Sequence, residues 1–339
     1  MKQEIITFAN HKGGVSKTTS TASIGACMAQ MGKKVLLIDL DGQANLTLYF
    51  IPNEDEIETS IFDALVDGAP LPVKHIRENL DLVPSSLEMA SAEIALTNLL
   101  AREQLLSRLL DPIRQDYEYI LIDCPPSLGI VTTNAFLAAD EIIVPMTPEL
   151  LPLKGMRMLD AFVTNLQRVK PSLRLGGVFI ARFNHRKLNK VVEQAVKSRY
   201  ESITMKTRIR ENIALAESAG SGKSIFEYDP NSNGAKDYLA LTEEIISRNQ
   251  QRPWERRIWT SCLAISWEML PSSRRTGMKS RLLLYQRMML QHHLRKQQPR
   301  KSLMTLGDTS PLYAQKPLWT RCKPLPTKKA LLSVPLWNM

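Results

Sequence analysis

Short apolar runs recur along the first 249 residues of the 339-residue chain, and most are followed by a segment whose apolar positions fall three or four apart. The runs are Ile5 to Ala9, Val35 to Ile38, Leu80 to Val83, Tyr119 to Ile122, Ile142 to Val144 and Val178 to Ala181. They are too short for helices and rich in β-branched residues, so they predict buried strands. The segments Thr18 to Met31, Leu87 to Leu99, Leu105 to Gln115 and Met156 to Val169 predict helices. Strands separated by helices imply right-handed crossovers and a doubly wound, mostly parallel α/β sheet covered on both faces. In such sheets ligands bind beyond the carboxyl ends of the strands. The residues just after each apolar run are therefore where the chemistry is expected.

The first of these positions reads K-G-G-V-S-K-T-T, Lys12 to Thr19, between the first strand and the first helix. A glycine-rich turn there aims successive backbone N–H groups, and the positive end of the helix dipole, at one spot that suits a polyphosphate. Lys17 is placed to reach the β- and γ-phosphates and Thr18 to offer its hydroxyl to Mg2+, as in a P-loop. The usual G-x-x-x-x-G-K-[ST] pattern fails at both outer glycines, where this chain has His11 and Ser16. A second lysine, Lys12, heads the loop instead, giving the deviant form K-G-G-x-x-K-[ST]. Ser16 still supplies its backbone N–H, provided it takes the backbone angles that glycine usually takes there. The bland alternative is a tight strand-to-helix turn that happens to contain Gly-Gly.

Two carboxylate positions fall at other strand ends. D-L-D-G-Q-A-N follows Val35 to Ile38 and sets Asp39 and Asp41 on one side of an extended segment. Asp123 closes Tyr119 to Ile122 and is followed by C-P-P-S. An aspartate ending an apolar strand beside a P-loop is a Walker B candidate for Mg2+, and Asp41 is the candidate to orient the attacking water and to assist at the metal. Taken singly, either could be a helix N-cap or a turn residue.

Charge changes the picture more than composition does, although 44% apolar residues are ample for a core. The formal net charge of +10 suggests a nucleic-acid or membrane partner, but it is unevenly distributed. Residues 250–339 carry 17 Lys/Arg against 3 Asp/Glu, leaving 27 against 31 in residues 1–249. All five tryptophans (Trp254, Trp259, Trp267, Trp319 and Trp337) lie in the basic tail. Two units are therefore expected, 1–249 as an α/β domain and 250–339 as a basic, disordered tail. Within the tail, Lys279 to Gln297 has a helix-like pattern that could suit a membrane surface or nucleic acid. The tail reads either as a fused or frameshifted extension or as a functional appendage.

A second basic concentration runs from Arg182 to Arg210, with nine Lys/Arg against Glu193 and Glu201. Such segregation resembles a footprint for DNA phosphates, with Arg186, Lys187, Lys190, Arg208 and Arg210 as candidate contacts; a solvated helix face is the alternative. The four cysteines, Cys27, Cys124, Cys262 and Cys322, form no C-x-x-C pair, so neither zinc nor a disulfide framework is expected. No secretory leader pattern and no run of 18 apolar residues occurs, and a cytoplasmic protein is expected.

K-G-G-V-S-K-T-T, V-L-L-I-D-L-D-G-Q-A-N and Y-I-L-I-D-C-P-P-S-L-G resemble, in order and separation, the deviant Walker A, switch I and Walker B motifs of ParA-type partition ATPases. P-M-T-P-E-L-L-P-L-K-G and S-I-F-E-Y-D-P-N-S-N-G-A-K-D-Y resemble later segments of that family, so the similarity covers about residues 1–248. It implies a deviant Walker A P-loop NTPase of the SIMIBI class that binds ATP and Mg2+ through Lys12, Gly13, Gly14, Val15, Ser16, Lys17, Thr18 and Thr19. It further implies an ATP-bridged homodimer in which Lys12 reaches the other subunit's phosphates, nonspecific binding to double-stranded DNA on the nucleoid, and slow hydrolysis stimulated by a ParB-type partner. Lys12, Lys17 and Asp41 are the implied catalytic residues, and Thr18, Asp41 and Asp123 the implied metal set. The stretch A-R-F-N resembles the R-Y-N of MinD-like relatives and makes Asn184 a candidate adenine contact, an asparagine there being otherwise a turn former. The chain departs from the family at Gly42 and Ala44, where proline and glycine are usual, and at Ala214, where chromosomal relatives have arginine. Two alternatives remain at this stage: a MinD-like ATPase acting on membranes, and a binding protein that holds nucleotide without hydrolysing it.

Overall fold

A computed structural model describes residues 3–148, 152–184 and 186–250. The expected basic tail, with its helix-like Lys279 to Gln297, lies outside the described residues.

Seven strands form one sheet: β1 (Glu4–Phe8), β2 (Val35–Asp39), β3 (Lys74–Arg77), β4 (Leu80–Val83), β5 (Tyr119–Asp123), β6 (Glu141–Met146) and β7 (Arg174–Ile180). Their order is β3-β4-β2-β5-β1-β6-β7, with every pairing parallel except the β3–β4 hairpin at one edge. The α-helices are α1 (Lys17–Gln30), α2 (Asn45–Phe50), α3 (Ala92–Ala95), α4 (Leu105–Leu110), α5 (Ile130–Ala138), α6 (Pro152–Leu166), α7 (Lys187–Tyr200), α8 (Ala214–Gly220), α9 (Ile225–Tyr228) and α10 (Asn233–Gln250).

The pleat divides each apolar run between two cores. Ile5, Leu36, Ile38, Ile120, Ile122, Ile142 and Val144 pack toward side chains of α4, α5, α6 and α7, among them Leu106, Phe136, Leu159 and Val196. Ile6, Phe8, Val35, Leu37, Leu121, Ile143 and Phe179 pack toward α1, α2 and α10 through Ile24, Met28, Leu46, Tyr238 and Leu241. A sheet buried on both faces needs apolar residues at every strand position, which is why these strands read as continuous apolar runs.

All six expected strands form, and β3 joins them. Lys74–Arg77 carries mostly polar residues that an edge strand tolerates, so no apolar run marks it. The expected helix Leu87 to Leu99 is instead a chain of short turns around α3, because hydroxyls compete for its carbonyls: Ser91 Oγ donates to Glu88 O and Thr97 Oγ1 to Glu93 O. The helix expected over Leu105 to Gln115 stops at Leu110, ahead of Pro112, which has no N–H to continue it. The α6 helix begins at Pro152, earlier than its apolar periodicity predicts, with proline in the first turn, where no amide is needed. Residues 45–50, 130–138, 187–200, 214–220, 225–228 and 233–250 are helical without having been marked by the apolar pattern.

The two loops at the carboxyl ends of β1 and β2 each enter a helix through a left-handed residue that is not glycine. Ser16 has φ 69 and ψ 30, and Ala44 has φ 49 and ψ 27. A Cβ in that region costs about 1–2 kcal/mol, partly offset by the greater chain entropy glycine loses on folding. Ser16→Gly and Ala44→Gly should therefore each raise the melting temperature of the nucleotide-free protein by about 2 °C. Thermal unfolding followed by circular dichroism checks this; an unchanged or lower midpoint for both would show that the two residues carry no backbone strain.

Candidate functional site

The loop from β1 to α1 is held at its entrance by Asn10, whose Oδ1 accepts from Lys12 N at 3.1 Å and whose Nδ2 donates to Pro145 O at 2.8 Å. Gly14 is left-handed at φ 71, and a Cβ built on Gly13 or Gly14 would meet nothing within 4 Å. The loop thus forms an open cradle on the wall of a cavity of about 800 Å3. Lys17 is buried, and its Nζ donates to Lys12 O at 3.3 Å, which lays the ammonium beneath the cradle. Behind the loop, Ser20 Oγ donates to Ser16 O at 2.5 Å and lies 3.0 Å from the buried Tyr238 hydroxyl of α10. Ser16 therefore takes the glycine-like angles that the loop requires.

The carboxylates converge because the strands put them in register. Asp39 and Asp123 are Cα partners across β2 and β5, and Asp123 also faces Phe8 at the end of β1. Thr18 Oγ1 donates to Asp123 Oδ2 at 2.6 Å, joining the first turn of α1 to the end of β5. The other oxygen, Asp123 Oδ1, is buried without a hydrogen-bond partner. Burial, chiefly, and the nearby Asp39 charge push the Asp123 carboxyl well above the usual carboxylate range, against the opposing pull of Thr18 and Lys17. Asp39 is also fully buried and is pushed up to about 6 by burial, with hydrogen bonds from Thr47 N and Thr47 Oγ1 opposing the rise.

Asp41 lines the cavity, and its Oδ1 accepts from Gln43 N at 3.0 Å. Its loop is tied to the segment after β4, since Ser85 Oγ donates to Asp41 O at 2.8 Å. A Cβ on Gly42 would lie 2.6 Å from Ala90 N, so this close approach admits glycine and has no room for the proline that the family resemblance anticipates. The loop is packed at Gly42 and left-handed at Ala44.

These residues fit a magnesium–nucleotide complex. Mg2+ retains waters and takes one or two protein oxygens beside phosphate oxygens, and here the Thr18 hydroxyl and an orphaned Asp123 oxygen adjoin a phosphate cradle. No cluster of three or more His, Cys, Asp or Glu side chains among the described residues makes an all-protein metal cage. Cys124, beside Asp123, is buried with its thiol pushed up by desolvation, and Cys27 is likewise buried.

The far wall of the cavity comes from Arg182, left-handed at φ 52, and the segment Ile209 to Ile213 beyond β7; the sequence marks Arg182 and Arg210 only as part of a basic stretch, not as cavity residues. Position past a strand end was the one available signal. Asn184 is not among the lining residues; its Oδ1 accepts from Asn189 Nδ2 at 2.5 Å and from Arg186 N at 3.3 Å near the start of α7. The five candidate DNA contacts separate into two groups. Arg186, Lys187 and Lys190 are exposed at the beginning of α7. Arg208 is paired with Glu193 at 2.7 Å and lies over the Phe183 ring, whereas Arg210 lines the cavity and grips Asp237 of α10 through Nε (2.9 Å) and a terminal nitrogen (2.6 Å). No helix among the described residues is long and apolar enough to cross a membrane.

Comparison with known proteins agrees with this arrangement. A family profile described as an AAA domain matches residues 3–175. The chain is 39% identical over 250 residues to the sporulation initiation inhibitor protein Soj of Bacillus subtilis, spanning 72% of this chain and 98% of that protein. It is 34% identical over 260 residues to the chromosome partitioning protein ParA of Myxococcus xanthus, spanning 75% and 92%. Among solved structures, a plasmid partition protein from Borrelia burgdorferi B31 bound to AMPPNP superposes with a TM-score of 0.63 at 27% identity, covering 74% of this chain and 100% of that one. With the deviant phosphate loop, the paired strand-end carboxylates and relatives of this identity over nearly their full length, the chain belongs to the ParA/Soj family of partition ATPases.

Proposed function

We propose that the protein binds Mg2+·ATP, dimerises across it, holds DNA without sequence preference in that state, and is released when a ParB-type partner stimulates hydrolysis. The observation that carries this reading is the hydrogen bond from Thr18 to buried Asp123 beneath the open Gly13–Gly14 cradle. Backbone amides of Gly13 to Thr19 and the Lys17 ammonium bind the phosphates. Thr18, with Asp123 and Asp41 nearby, holds Mg2+, which when bound neutralises charge on the phosphate oxygens. Asp41 faces the cavity and orients the attacking water. Lys12, exposed at the head of the loop, supplies a cation to the phosphates of a second subunit, where it offsets developing negative charge. Dimerisation and turnover then depend on the same residue.

The DNA surface is centred on Arg186, Lys187 and Lys190. These side chains are exposed on one short stretch, whereas Arg208 and Arg210 are engaged by Glu193 and Asp237. Contacts of this kind bind phosphates and weaken steeply with salt.

Co-sedimentation with plasmid DNA tests the reading. Wild type should pellet with DNA in ATP and far less in ADP or without nucleotide, and Lys12→Ala should lose the ATP-dependent fraction. Pelleting independent of nucleotide would contradict it. Asp41→Ala should retain ATP-dependent DNA binding but lower DNA- and partner-stimulated turnover by about a hundredfold or more. Equal, near-background hydrolysis by Asp41→Ala and wild type would instead favour a protein that uses nucleotide only as a bound ligand.

A further inference from the structure

Glu93 lies outside every motif described above, yet its carboxylate reaches the loop that follows Asp123. Glu93 Oε2 accepts from Ile130 N at 2.9 Å, at the first residue of α5. A free amide in the first turn of a helix, at the positive end of its dipole, is a favourable place for a carboxylate. The fit is close, because a Cβ on Gly129 would fall 2.1 Å from Glu93 Oε1 and 2.5 Å from its carboxyl carbon. Gly129 has φ −94 and ψ −159, angles open to any residue, so a side chain here would meet no backbone obstacle but would displace the exposed Glu93 carboxylate from the Ile130 amide.

The same segment grips the other catalytic loop. Ser85 Oγ donates to Asp41 O, and the Ala90 backbone packs against Gly42. Residues 85–93 thus hold the Asp41 loop at one end and the far end of the Asp123 loop at the other. The near end of the Asp123 loop is fixed by Thr18.

We propose that Glu93 is a positioning residue for ATP hydrolysis: by capping α5 it locks the loop after Asp123 to the segment that carries the Asp41 loop, and so fixes the two carboxylates relative to each other. The inference rests on the hydrolytic reading given above. A water-orienting carboxylate displaced by about 1 Å loses rate rather than substrate affinity.

The test compares Glu93→Ala, Glu93→Gln, Gly129→Ala and the double variant Glu93→Ala/Gly129→Ala in DNA-stimulated ATP turnover, together with hydrogen exchange at the Ile130 amide without nucleotide. Glu93→Ala should lower kcat about tenfold with KM for ATP changed less than about twofold, and Ile130 should exchange faster. Glu93→Gln keeps an oxygen acceptor and should recover most of kcat. Gly129→Ala should mimic Glu93→Ala by displacing the carboxylate, and the double variant should be no worse than Glu93→Ala, since the clash is gone. Unchanged exchange at Ile130 in Glu93→Ala, or unchanged kcat despite faster exchange, overturns the inference while leaving wild-type turnover intact. Absence of turnover in the wild type overturns the proposed function and this inference with it.

Discussion

The short hydrogen bond between Thr18 and Asp123 is the contact on which the site depends. It joins the partly buried Thr18, in the first turn of the helix after the phosphate loop, to the end of a neighbouring strand, where the fully buried Asp123 carboxylate would ordinarily be neutralised or paired. Its surroundings pull in opposite directions: burial and the Asp39 charge disfavour a charge on Asp123, whereas Thr18 and Lys17 favour it. The parallel register sets Asp39 beside Asp123, Lys17 supplies an opposing cation, and Thr47 saturates Asp39 with two donors. One oxygen of Asp123 is left without a partner. A buried orphan acceptor destabilises a fold by about 1–3 kcal/mol, so its retention is most simply understood as a place kept for a ligand.

Strain is distributed in the same region. Ser16 and Ala44 sit in left-handed conformations at the two loops that flank the cavity, and Gly42 lies against the Ala90 backbone. The loops are thus set by backbone geometry and by the helix α10, which reaches both sides of the cavity. Asp237 grips Arg210 on one wall, and Tyr238 meets Ser20 behind the phosphate loop. On the proposed reading, a cradle preorganised in this way would bind phosphates with little rearrangement.

Much of this was legible in the sequence because the governing rules are local. Apolar runs mark strands buried on both faces, and a phosphate loop or a strand-end aspartate announces itself by its neighbours. The β3 strand escaped because a polar edge strand has no apolar signature, and the helix expected over Leu87 to Leu99 broke up because Ser91 and Thr97 bind carbonyls of their own segment. The cavity wall from Ile209 to Ile213 was invisible for a different reason: it follows from how the chain returns past β7 to α10, a tertiary fact that no short pattern encodes. Likewise, the basic stretch after Arg182 reads as one patch of free cations, while in the fold Arg208 and Arg210, though still exposed, are paired with Glu193 and Asp237.

The cost and use of the buried carboxylate can be measured together in Asp123→Asn, which keeps an acceptor for Thr18 and removes the charge. Because burial raises the folded-state pKa of Asp123 above its unfolded value, its ionisation opposes folding above that unfolded value, and the penalty disappears as pH falls below it. Thermal unfolding with and without Mg2+·ATP, from pH 7 down to pH 4, should therefore find nucleotide-free Asp123→Asn more stable than wild type at pH 7, with the difference shrinking toward pH 4. The variant should also lose the Mg2+-dependent part of the stabilisation by ATP. A variant that is less stable at pH 7 and still gains fully from Mg2+·ATP would contradict the assignment of Asp123 as the buried charge kept for the metal–nucleotide complex.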